Sequence, residues 1–246
     1  MKKINKNLLI FVLIILFNLK LLIFNAAFGE TKNDLQSWDA IVIEAPIHGN
    51  LRGYFDLQPR IGNNITQLDT LVVRPAIGYK ITPIVSLWLG FSWQPHPQPV
   101  FINEDRPYQG IIIEKYYKKF KLTFRSRIEE RFIEYVHGAS IRQRELIRFD
   151  YPLGKSKKWG LLASNEILFN YNSTENGPKA GFDQARFYYG ISRKFNNSTH
   201  IEFGYMCNPV AQGPPFEKNR ITLIRHNIMF TVNVNIGQGQ QHFPFK

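Results

Sequence analysis

The chain has 246 residues, 44% hydrophobic and 14% aromatic, with 31 lysines and arginines against 19 carboxylates. This composition excludes a disordered chain, and the lack of repeated long apolar runs excludes a bundle of transmembrane helices, each of which needs about 20 apolar residues. The single cysteine, Cys207, excludes an internal disulfide and any multi-cysteine metal site.

Residues 1–29 differ from all that follow. Lys2, Lys3 and Lys6 precede the apolar run LLIFVLIILF, and Ala27 and Gly29 supply the small residues of a cleavage site. Together they predict an export signal of the Sec type. Asn18 and Lys20 interrupt the later apolar part, which disfavours an uncleaved anchor. The segment holds four lysines and no acid, so its removal leaves 27 basic and 19 acidic side chains, a difference of +8. Such a balance raises the question of nucleic acid. Export, and arginines interleaved with apolar residues in no known nucleic-acid module, argue against that partner.

Alternation dominates the mature chain. In SLWLGFSWQ, Leu87, Leu89, Phe91 and Trp93 oppose Ser86, Gly90, Ser92 and Gln94, with Trp88 an exception on the polar parity. In KLTFRSRIEERF, Leu122, Phe124, Ile128 and Phe132 oppose Lys121, Arg125, Arg127, Glu129 and Arg131. Spacing by four among Phe124, Ile128 and Phe132 also suits a helix, but DQARFYYGISRK, THIEFGYMCN and IMFTVNVNI repeat the two-residue period and decide for strands. The candidate strands are 38–45, 51–61, 68–80, 86–94, 110–118, 121–132, 141–151, 159–171, 183–194, 199–208 and 220–236. Most exceed the five or six residues usual in globular sheets and match the nine to eleven or so of a tilted membrane-crossing strand.

From Lys80 onward short connections alternate with longer ones, as in outer-membrane barrels whose short turns face the periplasm. Running that alternation back from the last strand, with even strand number the rule, predicts an antiparallel up-and-down transmembrane β-barrel of ten strands over 51–236, or twelve if 38–45 belongs to an extra pair. Residues 30–50 are then an extension or an extra strand, and 237–246 a tail.

In a membrane barrel the apolar parity faces lipid and the ionic parity faces the lumen. Tyr79, Tyr151 and Trp159 beside short turns, and Trp93 and Tyr171 beside long loops, suggest interfacial girdles. The lumen set is then Arg74, Glu114, Arg125, Arg127, Glu129, Arg131, Arg142, Arg144, Arg148, Asp150, Glu166, Arg186 and Glu202. Arginine suits this place because its fork stays charged and can hold two carboxylates. Ten or twelve strands lie between a filled barrel of about eight and an open channel of about sixteen, so a mostly plugged lumen is expected.

Trp38, the GYKITPIVSLWLGFSW hairpin, RSRIEERF followed by RFDYPL, and DQARFYYGISRKFNNSTHIEFGYM together resemble the bacterial family filed as domain of unknown function 2490, over about residues 38–236. The resemblance implies an outer-membrane β-barrel of Gram-negative bacteria, with no assigned activity and no catalytic residues to carry over.

Catalytic chemistry finds thin support. His137 with Ser140, and His200 with Glu202, are the candidate pairs; a plain turn and a structural ion pair are their bland readings. No GxSxG elbow is present, the six histidines lack zinc spacing, and no phosphate loop is found, so neither cofactor nor metal is expected. Two classes remain: a structural or interaction barrel, which is the favoured reading, and a narrow anion-preferring pore motivated by the arginine excess. A lipid-modifying enzyme is the third. The expected partners are outer-membrane lipid and lipopolysaccharide, and the barrel-assembly machinery during insertion; the oligomeric state stays open.

Overall fold

Every described element is a β-strand, because the two-residue alternation runs nearly unbroken between turns. The computed structural model describes residues 31–211 and 222–237, so the export-signal segment, residues 212–221 and the tail beyond 237 lie outside it. Eleven strands follow in order: β1 (Thr31–His48), β2 (Leu51–Gly62), β3 (Gln67–Lys80), β4 (Val85–Trp93), β5 (Glu104–Tyr116), β6 (Lys121–Ile133), β7 (Ser140–Leu153), β8 (Trp159–Asn170), β9 (Gly181–Lys194), β10 (Thr199–Ala211) and β11 (Thr222–Asn235).

They close into one barrel in which each strand pairs antiparallel with its sequence neighbour, and β1 pairs with β11 in parallel, from Thr31 opposite Thr222 to Glu44 opposite Asn235. The count of ten, with twelve as its alternative, is therefore corrected to eleven. The run 38–45 is the extra strand and not an extension, but the second member that would have made twelve is absent from the described barrel. It is the middle of an 18-residue strand that supplies the seam. With alternating directions an odd number makes first and last strands point the same way, so closure has to be parallel.

The turns at one rim are short: 49–50, 81–84, 117–120, 154–158 and 195–198. At the other rim they are 63–66, 94–103, 134–139 and 171–180. Asn63, Asn64 and Ile65 have positive φ, which makes the 63–66 turn tight on a rim of mostly longer loops. We call the rims the short-turn and long-loop ends. The described chain enters β1 at the long-loop end and leaves β11 at the short-turn end.

Alternation along each strand then sorts side chains. Leu89, Ile77, Ile167, Phe203, Ile147, Ile41, Phe132 and Phe230 point outward and are exposed, whereas Glu129, Arg142, Arg144, Glu166, Asn208 and Asn227 are buried inside. The exterior is apolar and the interior largely polar, the inverse of a globular core. Exceptions run both ways. Glu145 on the outer face accepts hydrogen bonds from Ser126 and Gln143 of that face, while Trp38, Leu162, Tyr188 and Met206 form a buried apolar cluster inside, with Met229 against it.

Glycine on the inward parity makes room for interior rings. Trp88 lies across Gly78 of the neighbouring strand, Tyr108 across Gly90, and Tyr188 across Gly190 and Gly204. Trp88, the exception to the polar parity, therefore fills the interior: it meets Tyr54 edge-on at 6.0 Å between ring centroids and donates its indole N–H to Ser86 Oγ at 2.9 Å.

Candidate functional site: the barrel interior

Two carboxylates organise the long-loop half of the interior. Glu129 on β6 accepts from Arg142 at 2.7 Å and Arg144 at 2.7 Å, with Arg127 at 3.4 Å. Arg142 reaches on to Asp183 of β9 at 3.0 Å. Glu104 on β5 holds Arg106 at 2.5 Å and Arg131 at 2.6 Å, with His96 Nε2 at 3.5 Å, and that histidine's Nδ1 is 3.0 Å from Thr70 Oγ1. The Arg127 guanidinium also stacks 4.2 Å from the Tyr108 ring centre. Gln36, Val72, Gln94, Leu168, Asn170, Asn208 and Asn227 pack around these pairs, each at most 2% exposed. This half is filled.

Arg144 links that half to the next. One nitrogen binds Glu129, and two others bind Glu166 at 3.0 and 2.7 Å. Glu166 also takes Arg125 at 2.7 Å and Arg186 at 3.0 Å. One carboxylate thus serves three guanidiniums from β6, β7 and β9, which works because both oxygens have two lone pairs and each arginine fork is planar. Below them Arg148 on β7 binds Asp150 at 2.8 Å and Glu202 of β10 at 2.7 Å. Strands β7 and β10 are three strand spacings apart, roughly 14 Å along the wall. That contact therefore crosses the interior.

Toward the short-turn end the interior opens into a cavity of about 460 Å³. Its lining stops at the same level on every strand. On β7 it runs from Arg144 to Pro152 and omits Arg142; on β6 it includes Lys121, Thr123 and Arg125 and omits Arg127, Glu129 and Arg131. On β10 it includes Met206 and omits Asn208, and on β11 it includes Met229 and omits Asn227. Rim residues Lys80, Lys157, Lys158 and Asn235 complete it. The interior is a blind cup, floored by the packed half and facing the short turns.

All thirteen residues singled out in the sequence lie on the inward parity. Arg125, Arg127, Glu129, Arg142, Arg144, Glu166 and Arg186 join one continuous network, and Arg148, Asp150 and Glu202 form a second with His200 Nε2 at 3.2 Å. Arg131 joins Glu104, Arg74 pairs with Asp56 at 3.1 Å, and Glu114 pairs with Lys121 at 2.9 Å. Sequence reasoning missed Asp56, Arg60, Glu104, Arg106 and Asp183. Glu104 and Arg106 fell in a stretch read as loop, although β5 begins at Glu104 and carries Pro107 within it. The alternation Tyr54, Asp56, Gln58, Arg60 would have found the β2 pair, despite Pro59 between them. The second catalytic candidate is spoken for, since Glu202 is held by Arg148. Of the first, His137 pairs with Glu175 through the backbone in the long-loop rim, while Ser140 is fully buried at the start of β7.

A closed barrel with an apolar exterior, a polar packed half and a charged cup defines the class: a β-barrel with an inverted interior. The chain belongs to the family described as "Protein of unknown function (DUF2490)", whose match covers residues 35–223. It is similar to an uncharacterised protein of Methylorubrum extorquens, at 31% identity over 188 residues, covering 73% of this chain and 80% of that protein. No solved structure matches it.

Proposed function

We propose that this protein is an outer-membrane β-barrel, delivered by a cleaved export signal, that acts as a structural or interaction barrel and not as a channel or an enzyme. The observation that carries this reading is the inversion of the two faces. A belt of exposed Leu, Ile and Phe, interrupted by the polar group of Ser126, Gln143 and Glu145, around a wall of 9- to 18-residue strands needs lipid to cover it. Supporting it, aromatic side chains gather on the outer face near the short turns. Tyr117 and Phe120 stack at 4.6 Å, Phe120 and Phe149 at 4.6 Å, and Phe149 and Tyr151 at 6.4 Å. Arg193 sits between Trp159 and Phe195 at 5.0 and 5.1 Å, as basic and aromatic residues do at headgroup depth. Phospholipid and lipopolysaccharide are then the wall's partners, the barrel-assembly machinery its route in, and the short-turn end the periplasmic one.

The second reading, a narrow anion-preferring pore, draws on the cationic cup, but the packed half stands across any path. Cell fractionation with gel mobility before and after boiling tests the main reading. A band in the outer-membrane fraction that migrates more slowly after boiling is expected. A soluble periplasmic protein with unchanged mobility would overturn it.

A further inference from the structure

The cup carries more positive charge than its carboxylates neutralise: ten lysines and arginines line it against six acids. Most of the guanidiniums already touch a carboxylate. Arg74 has Asp56, Arg125, Arg144 and Arg186 share Glu166, and Arg148 has Asp150 and Glu202. Arg60, on β2 at the cup floor, is different. Its Nε and Nη2 donate to the neutral Gln58 Oε1 at 2.9 and 2.6 Å, and among the described residues no carboxylate pairs with it. Its guanidinium lies 3.8 Å from the centre of the Trp38 ring, which Arg186 also approaches, at 5.2 Å. The ring and Gln58 hold the fork in place without cancelling its charge.

The same indole belongs to the apolar cluster of Leu162, Tyr188, Met206 and Met229, and all of these line the cup. A cation without a carboxylate contact therefore adjoins an apolar wall within a cavity sized for a small molecule. Lys80, Lys157 and Lys158 at the mouth favour entry of an anion. We propose that the cup binds a small amphiphilic monoanion, a carboxylate on a single acyl chain, with the carboxylate on Arg60 beside Trp38 and the chain along Leu162, Met206 and Met229. A bare anion would leave the apolar wall of Leu162, Met206 and Met229 uncovered. The inference concerns the closed interior and holds wherever the barrel resides.

Calorimetric titration with octanoate tests it, using the full-length protein in phosphatidylcholine nanodiscs with empty discs subtracted, or in plain buffer should the barrel prove soluble without lipid. Octanoate is expected to give saturable one-to-one heat, with octanol bound about ten-fold more weakly and Arg60→Gln reducing octanoate affinity about ten-fold or more, while Arg60→Lys retains most of it. Mobility of the unboiled variants establishes that they are folded. Absence of saturable heat, octanol bound as tightly as octanoate, or an unchanged affinity in folded Arg60→Gln would each overturn the assignment. Displacement of octanoate by equimolar inorganic phosphate would also overturn it, in favour of a free-anion site. The octanol comparison uses the unsubstituted protein and decides even if the Arg60 variants fail to fold.

Discussion

Glu166 meets three guanidiniums while only 4% exposed, and the cost of losing it is set by what is left behind. Glu166→Gln keeps the shape but removes the counter-charge of Arg125, Arg144 and Arg186. Breaking a buried pair of this kind costs about 3–5 kcal/mol, against about 0–1 kcal/mol for a solvent-accessible one. Urea unfolding of Glu166→Gln should therefore show a much larger loss than Glu114→Gln, whose pair with Lys121 lies in the more open part of the cup. Equal losses would contradict the network's role in holding β6, β7 and β9 together. Glycine gives a second contrast. A Cβ at Gly204 would meet the Tyr189 carbonyl oxygen, and the Gly190 Cα at 2.7 Å, neither of which can step aside. At Gly53 the nearest atom is a methyl of Ile47 at 3.4 Å. Gly204→Ala should lose about 3 kcal/mol in the same assay, whereas Gly53→Ala should lie within about 1 kcal/mol of the parent.

Strands are where the sequence was most readable. One side chain in two faces the interior, and that parity can be counted along β4, β6, β7, β9, β10 and β11 without knowing their neighbours. What parity does not contain is partnership. That Arg148 meets Glu202 three strands away, or that Glu166 gathers arginines from three strands, depends on register, tilt and the bulge between Leu168 and Phe169. Strand count failed for a different reason: eleven alternating runs were visible, but the rule of even number set one aside. That one, β1, is the element with most to lose. Without it β2 and β11 would each present an open edge of unpaired backbone groups. Ala40→Pro removes an inward residue's amide from the middle of the seam and should abolish the fast-migrating unboiled band. Lys155→Pro, in a turn outside the ladders and free of the positive φ found at Lys157, should leave that band in place. A compact band that survived Ala40→Pro would show that the seam is dispensable.

For the molecule as a whole, the division of the interior predicts electrical silence. Among the described residues Gln36, Val72, Leu168, Asn208 and Asn227 fill the packed half, each at most 2% exposed, so purified protein in a planar bilayer is expected to give no stepwise current even at high load. Thinning that half with Glu104→Ala, Arg106→Ala, Glu129→Ala and Arg142→Ala together should produce steps, provided the unboiled band persists. Currents of equal size from parent and variant would return the pore to first place. Each of these residues lies beyond the cup floor, so the same variant separates the plug from the cup: octanoate binding at Arg60 should survive it.

The parallel seam also sets where the two ends of the barrel wall are. A barrel with paired directions all round brings its ends to one rim, where a few residues could splice them. Here the described chain enters at one rim and departs at the other, so joining the ends would need a linker the full height of the wall, on the order of 40 Å for the 14 seam pairs at the usual rise. Circular permutation at the wall's own ends therefore needs that span bridged, which barrels whose ends are neighbours do not require. In exchange, peptides joined directly at Thr31 and after Asn235 would leave the wall from opposite rims, one partner for each.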